Sequence, residues 1–216
     1  MNIDDLLMRE TSRRDVYKAL SFCFYLPDDN LELTTENLEG HLITLNTKAV
    51  TNAKLMRSEC QNDKCLEALT IDFARLFVGP FQLLAPPYGS VYLEGERKIM
   101  GDSTVDVIER YREVGLDISK QFKDAPDHIA AELEFMHVLI CLEISALQDG
   151  IAEDIQKFIH RQRAFLNDHL GAWIRPFTEL VTTHAQTGFY RNLAQTTKLF
   201  IDEEFDELLS LGGEQK

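Results

Sequence analysis

The chain has 216 residues, 44% hydrophobic and 27% charged, a balance that suits a soluble globular protein with one substantial core. Its 36 acidic residues outweigh 22 basic ones, for a formal net charge of −14. That charge argues against a nucleic-acid surface, which draws its affinity from clustered Lys and Arg, and favours cationic partners such as basic peptides.

The first predicted helix covers 4–26. Within it, Ser12-Arg13-Arg14-Asp15-Val16-Tyr17-Lys18 looks like a twin-arginine export motif. The apolar run that follows, Ala19 to Leu26, is too short for a leader, stops at Pro27 before two aspartates, and offers no small-residue cleavage site. It reads instead as an amphipathic helix with Val16, Tyr17, Leu20 and Phe24 facing inward. After the turn Pro27-Asp28-Asp29-Asn30, helical periodicity predicts helices over 36–58 and 63–78.

A long irregular segment from Gly79 to Gly101 comes next, opening with Gly79-Pro80-Phe81-Gln82-Leu83-Leu84-Ala85-Pro86-Pro87-Tyr88-Gly89-Ser90-Val91-Tyr92. It is apolar for a surface loop, and its paired prolines stiffen it. Its aromatics must either pack between helices or await a ligand. A helix over 103–114 leads to the connection Gly115 to Ala125 and then to a helix over 126–149. There Asp124 is expected to cap the first amides, Pro126 to sit in the first turn, and Asp127 to meet the positive end of the helix dipole. Ile129, Leu133, Met136, Ile140 and Leu147 recur on one face for burial.

Helices over 151–169, 172–187 and 190–210 complete the chain, punctuated by Gly150, Gly171 and Gly188. The cluster Asp202-Glu203-Glu204 with Asp206 and Glu207 reads as a solvated helix face. Strand signals are almost absent, so the fold class is all-α. Cys23, Cys60, Cys65 and Cys141 form no Cys-x-x-Cys pair and suggest no disulfide framework, which points to a reduced cytoplasmic setting. No apolar run approaches the roughly 20 residues that span a bilayer.

Catalytic chemistry finds little support. Glu134-Phe135-Met136-His137 is a Glu-x-x-His unit, but a di-metal bundle site needs two and the chain has one. The pairs His128/Glu132 and His137/Cys141 sit one turn apart, yet two ligands fall short of a metal site. There is no Gly-x-Ser-x-Gly elbow and no phosphate-cradling glycine loop. A helical peptide-binding protein fits better, with carboxylates for arginines and an apolar loop for the rest of the peptide. Two other readings stay open: a metal-dependent helical oxidoreductase using Glu134, His137 and His128, and a helical adaptor that binds a folded partner.

Three blocks resemble a known family. The first is Arg14-x-x-Tyr17-x-x-Leu20 leading to Phe24-Tyr25-Leu26-Pro27. The second is Phe73-Ala74-Arg75-Leu76-Phe77-Val78-Gly79-Pro80, continuing through Pro86-Pro87-Tyr88-Gly89-Ser90-Val91-Tyr92. The third is Pro126-Asp127-His128-Ile129-x-x-Glu132-Leu133-x-Phe135-Met136, followed by Phe165-Leu166-x-x-His169-Leu170-x-x-Trp173. Together, and in this order, they resemble the TorD/DmsD branch of the TorD/DmsD/NarJ-type molybdoenzyme maturation chaperones.

The resemblance implies a cytoplasmic, non-enzymatic, all-helical bundle with an N-terminal lobe over 1–120, a C-terminal lobe over 128–216 and a hinge near 115–128 that includes Asp124 and Pro126. Such a chaperone holds the apo catalytic subunit of a molybdopterin-dependent oxidoreductase, recognises its twin-arginine leader, and delays export until the cofactor is inserted. The molybdopterin belongs to the client; the chaperone itself holds no stable cofactor, although weak guanine-nucleotide binding at the hinge is linked to some relatives. Pro86, Pro87, Tyr88, Ser90 and Tyr92 fall where the family builds its leader-binding region, and Asp127 and His128 on its central pair. Asp127 and Glu132 are expected to meet the leader's arginines, and Phe77, Leu83, Tyr88 and Tyr92 to pack its apolar part. A monomer or a dimer with exchanged lobes is expected, with neither nucleic acid nor stable membrane insertion.

Overall fold

In the computed structural model, which describes residues 2–61, 65–79, 83–94, 100–117 and 124–211, the chain is all-α. Its helices are α1 (Ile3–Cys23), α2 (Leu31–Leu45), α3 (Val50–Cys60), α4 (Cys65–Phe73), α5 (Gly89–Leu93), α6 (Asp102–Arg112), α7 (Ile129–Asp149), α8 (Ala152–Asp168), α9 (Leu170–His184) and α10 (Gly188–Leu211). A π-helical turn, Ala74–Val78, extends α4. Among the described residues there is no strand, only one isolated antiparallel bridge between Tyr88 and His128.

Local chemistry explains the ends. The Asn2 side chain accepts the Asp5 amide at 2.8 Å to start α1, with Asp4 and Asp5 at the positive end of its dipole. The helix expected over 36–58 is two helices. Asn46 adopts the left-handed conformation at φ 55°, and Thr47 N closes back on Leu42 O at 3.2 Å, a C-terminal motif that asparagine tolerates better than most residues. The boundary expected at Gly171 falls at His169 instead. Gly171 lies in the first turn of α9, where a Cβ would sit 2.3 Å from Leu166 O, so glycine lets α8 and α9 meet at a sharp corner.

α1 lies along α7 and α2, α10 along α3 and α9, and α8 along α7 and α9. The first long helix therefore packs against the middle of the chain, and the last bridges α3 and α9. Trp173, Tyr17, Tyr190, Phe24, Phe165 and Phe177 are fully enclosed, each large apolar side chain contributing about 1.5–3 kcal/mol by leaving water. Val16, Tyr17, Leu20 and Phe24 all face inward as their spacing predicts.

The acidic cluster of α10 departs from expectation at one position. Glu204 is buried and takes the Arg13 guanidinium side-on, with Nε 2.9 Å from Oε1 and Nη2 2.7 Å from Oε2. Arg13 also donates to Glu10 and, at 3.0 Å, to Gln162 Oε1, while Gln162 Nε2 donates to Glu143 Oε2 at 2.6 Å. Four helices thus meet at one buried guanidinium. A second long-range tie fastens the start of α10: Asp72 Oδ2 accepts the amides of Gln186 and Thr187 at 2.9 and 2.8 Å.

Candidate functional site

From Leu83 onward, the apolar segment after the π turn is a strap laid against the start of α7. The π turn closes with Gly79 N donating to Ala74 O, and Gly79 sits at φ 48°, ψ 152°, a backbone region open essentially to glycine alone. Residues 80–82 lie outside the described residues. The strap then returns, with Ala85 N bonded to Leu76 O at 3.0 Å.

The strap meets the start of α7 through backbone pairing. Ile129 N donates to Pro87 O and Gly89 N to Asp127 O, each at 2.9 Å, flanking the Tyr88–His128 bridge. The Asp127 carboxylate adds a third tie, accepting the Ser90 amide at 2.7 Å through Oδ2. Asp127 therefore holds the first turn of α5, a short helix absent from the sequence expectation. Tyr92 Oη donates to Pro86 O at 2.8 Å and Tyr111 Oη to Pro126 O at 2.9 Å, stiffening both sides of the joint.

The expected cap is corrected. His128, not Asp124, is the N-cap of α7, and its Nδ1 accepts the Ala130 amide at 3.1 Å. Pro126 accordingly precedes the helix instead of occupying its first turn. Burial lowers the His128 pKa to about 4, so the ring is neutral near pH 7 and, with Nδ1 accepting, carries its proton on Nε2. The ring stacks on Tyr25 at 6.2 Å and meets Tyr88 edge-on at 5.5 Å. Asp124 is exposed and lies 3.3 Å from the Tyr88 hydroxyl that donates to it.

Glu132, one turn into α7, is fully enclosed, and its Oε2 accepts the Trp173 indole N–H at 2.9 Å. Burial holds its carboxyl well above the usual carboxylate range; the Trp173 bond opposes this shift and the neighbouring Asp127 charge reinforces it. Gly89 is wedged against the pair, since a Cβ there would lie 2.9 Å from Trp173 Nε1 and 3.0 Å from Glu132 Oε1. We expect Gly89→Ala to lower unfolding free energy by about 1–3 kcal/mol through overpacking, read from urea melts; unchanged melts would show that the wedge is loose.

The sequence-predicted site residues thus divide by exposure. Asp127, His128, Glu132, Ser90 and Pro87 are buried. Phe77 belongs to the core, 5.3 Å from Phe73 and 5.6 Å from Tyr190 between ring centroids. Leu83, Pro86, Tyr88 and Tyr92 are half-buried along the strap. Sequence reasoning did not assign a role to Trp173 or Gly89 here; the Trp173 position stood in the third block without a partner to explain it. Of the proposed hinge at 115–128, residues 118–123 lie outside the described residues. The residues weighed as metal ligands are otherwise engaged: Glu134 takes Lys18 Nζ at 3.2 Å, and His137 Nδ1 lies 3.0 Å from Arg14 O. Among the described residues no three His, Cys, Asp or Glu side chains are grouped to hold a metal.

A family model described as nitrate reductase delta subunit matches residues 29–179. The chaperone protein TorD of Photobacterium profundum is 32% identical over 87% of this chain and 82% of its own length. The chain belongs to the TorD/DmsD family. Other members match less of their length: TorD of Aliivibrio salmonicida is 28% identical over 69% of this chain and 67% of its own, and the Tat proofreading chaperone DmsD of Salmonella typhi 32% over 62% and 58%. A solved Archaeoglobus fulgidus protein described as a redox enzyme maturation protein shares the TorD/DmsD fold seen here. It has a TM-score of 0.55 and 21% identity, covering 88% of this chain and 93% of that one.

Proposed function

We propose that this chain is a cytoplasmic chaperone for a molybdopterin-dependent oxidoreductase, binding the apo catalytic subunit and its twin-arginine leader and delaying export until the cofactor is in place. Membership of the TorD/DmsD family supports the class, since relatives carry the names chaperone and Tat proofreading chaperone. The structural observation that carries the reading is the strap: an apolar, proline-stiffened segment pinned to the start of α7 by Asp127 and by the Tyr88–His128 bridge. An edge held rigid before binding loses less entropy when a peptide docks on it. No helix among the described residues is long and apolar enough to cross a membrane.

Burial reassigns roles within this proposal. The Asp127 and Glu132 carboxylates are enclosed, so they set the geometry of the strap, while Leu83, Pro86, Tyr88, Tyr92 and exposed Asp124 have reach to a client. Recovery of tagged protein from its native cells tests the class: a molybdoenzyme precursor with an uncleaved leader is the expected companion, and recovery of folded, leaderless partners alone would overturn the reading. Asp127→Ala tests the mechanism. Leader affinity is expected to fall while the salt dependence of binding keeps its slope, because the lost contact is Ser90 N and not a client arginine. A flattened slope would instead place Asp127 against the arginines.

A further inference from the structure

Beside the strap lies a cleft of about 450 Å³ whose far wall is α9. Pro86, Val91 and Tyr92 form one side, and Pro176 and Leu180 the other. Most of its lining is apolar; Thr183 and, at the exposed rim, Glu179 are its polar members. Glu179 is exposed and, among the described residues, has no ion-pair partner. The α9 face was not among the sequence-predicted binding residues. Pro176 is exposed on this face, where a proline ring offers apolar surface and no N–H.

Resting on the leader reading above, we infer that the strap–α9 cleft seats the apolar stretch of the leader, with Glu179 pairing with one of the arginines that precede it. Four observations favour this occupant. The lining suits aliphatic side chains; a lone rim carboxylate suits a guanidinium bidentately. The chain's net charge of −14 draws a cationic peptide toward the cleft and repels a second copy of the chain. The strap side of the cleft is also held in shape before binding, since Tyr92 Oη is bonded to Pro86 O and both residues line it. Most of the affinity then comes from apolar burial over Leu180, Val91 and Tyr92, and Glu179 sets register and encounter rate.

The test uses the full chain and a synthetic peptide carrying two adjacent arginines followed by roughly 10 apolar residues, a length within the range of leader apolar regions. Binding is followed by fluorescence anisotropy over a salt series. Leu180→Asp is expected to weaken binding at least tenfold. Glu179→Gln, at an exposed position where folding is not at stake, is expected to weaken it by up to about fivefold and to flatten the salt slope. Against the same peptide with its arginines replaced by norleucines, Glu179→Gln should behave as wild type. Wild-type binding that neither variant alters, with unchanged thermal melts, overturns the cleft assignment and leaves the leader reading standing. A wild-type protein that ignores the peptide overturns both.

Discussion

Arg13→Leu is expected to lower the unfolding free energy by about 3–5 kcal/mol, the range for breaking a buried ion pair by removing one partner. Arg13 is 3% exposed and is enclosed by carboxylates from three other positions, Glu10, Glu143 and Glu204. Taking the guanidinium away strands these carboxylates in a poorly solvated interior, where they must either remain charged without a partner or bind protons. It also disconnects α1 from α8 and α10 at a point where Gln162 and Glu204 converge. The double variant Arg13→Leu/Glu204→Leu should recover part of the loss, since it removes one of the stranded charges along with the cation. Urea denaturation at fixed pH measures both. A loss below about 1 kcal/mol for Arg13→Leu would mean that the cluster is hydrated in solution and behaves as a surface ion pair.

The same cluster predicts a distinctive dependence of stability on pH. Burial, reinforced by Glu10, raises the Glu143 pKa from 4.5 to about 7, while Arg13 and the Gln162 bond pull it down and Glu204 adds to the rise. In the unfolded chain this carboxyl titrates near its ordinary value. Between pH 4.5 and 7 the folded protein therefore holds a proton that the unfolded chain has released, so stability from this group falls as pH rises across that window and is level above it. At about 1.4 kcal/mol per unit, the change amounts to roughly 3 kcal/mol. Glu143→Gln replaces the carboxyl with a neutral group of the same shape. The difference in unfolding free energy, variant minus wild type, should grow by that amount from pH 4.5 to 7 and then stop. Parallel stability curves for the two proteins would show that Glu143 titrates normally. Taking the difference also cancels the contributions of other buried carboxyls, among them Glu132, whose raised pKa acts in the same direction.

These two expectations rest on residues whose roles could not be seen along the chain. Arg13 stood in a segment that looked like an export motif, and Glu204 in what looked like a solvated acidic face. Each is a charged residue on an amphipathic helix, and nothing within a few positions of either one announces burial. Their meeting spans 191 residues of sequence. Asp72 is another case, capping α10 from α4 across 114 residues.

The candidate site divides the same way. Proline, glycine and aromatic content marked the strap as unusual, and the order of the three blocks was enough to suggest the family. The acidic and histidine positions at the start of α7 were likewise visible, but their uses were not. Whether Asp127 faces solvent or the Ser90 amide, and whether Glu132 meets a client or the Trp173 indole, depends on where α5 and α9 come to rest.

What the sequence by itself determined is the all-α class, most helix positions and the inward faces of α1 and α7, because helical periodicity, glycine punctuation and turn chemistry act over a few residues. Asn46 shows the limit even there, since whether an asparagine takes the left-handed conformation is only weakly encoded, and one expected helix became two. Tertiary structure alone decided which carboxylates are enclosed, that His128 is a cap, that Phe77 belongs to the core, and that α9 forms the second wall of a cleft. Burial, pKa and partner choice are properties of the space between elements, and that space exists only once distant segments have packed.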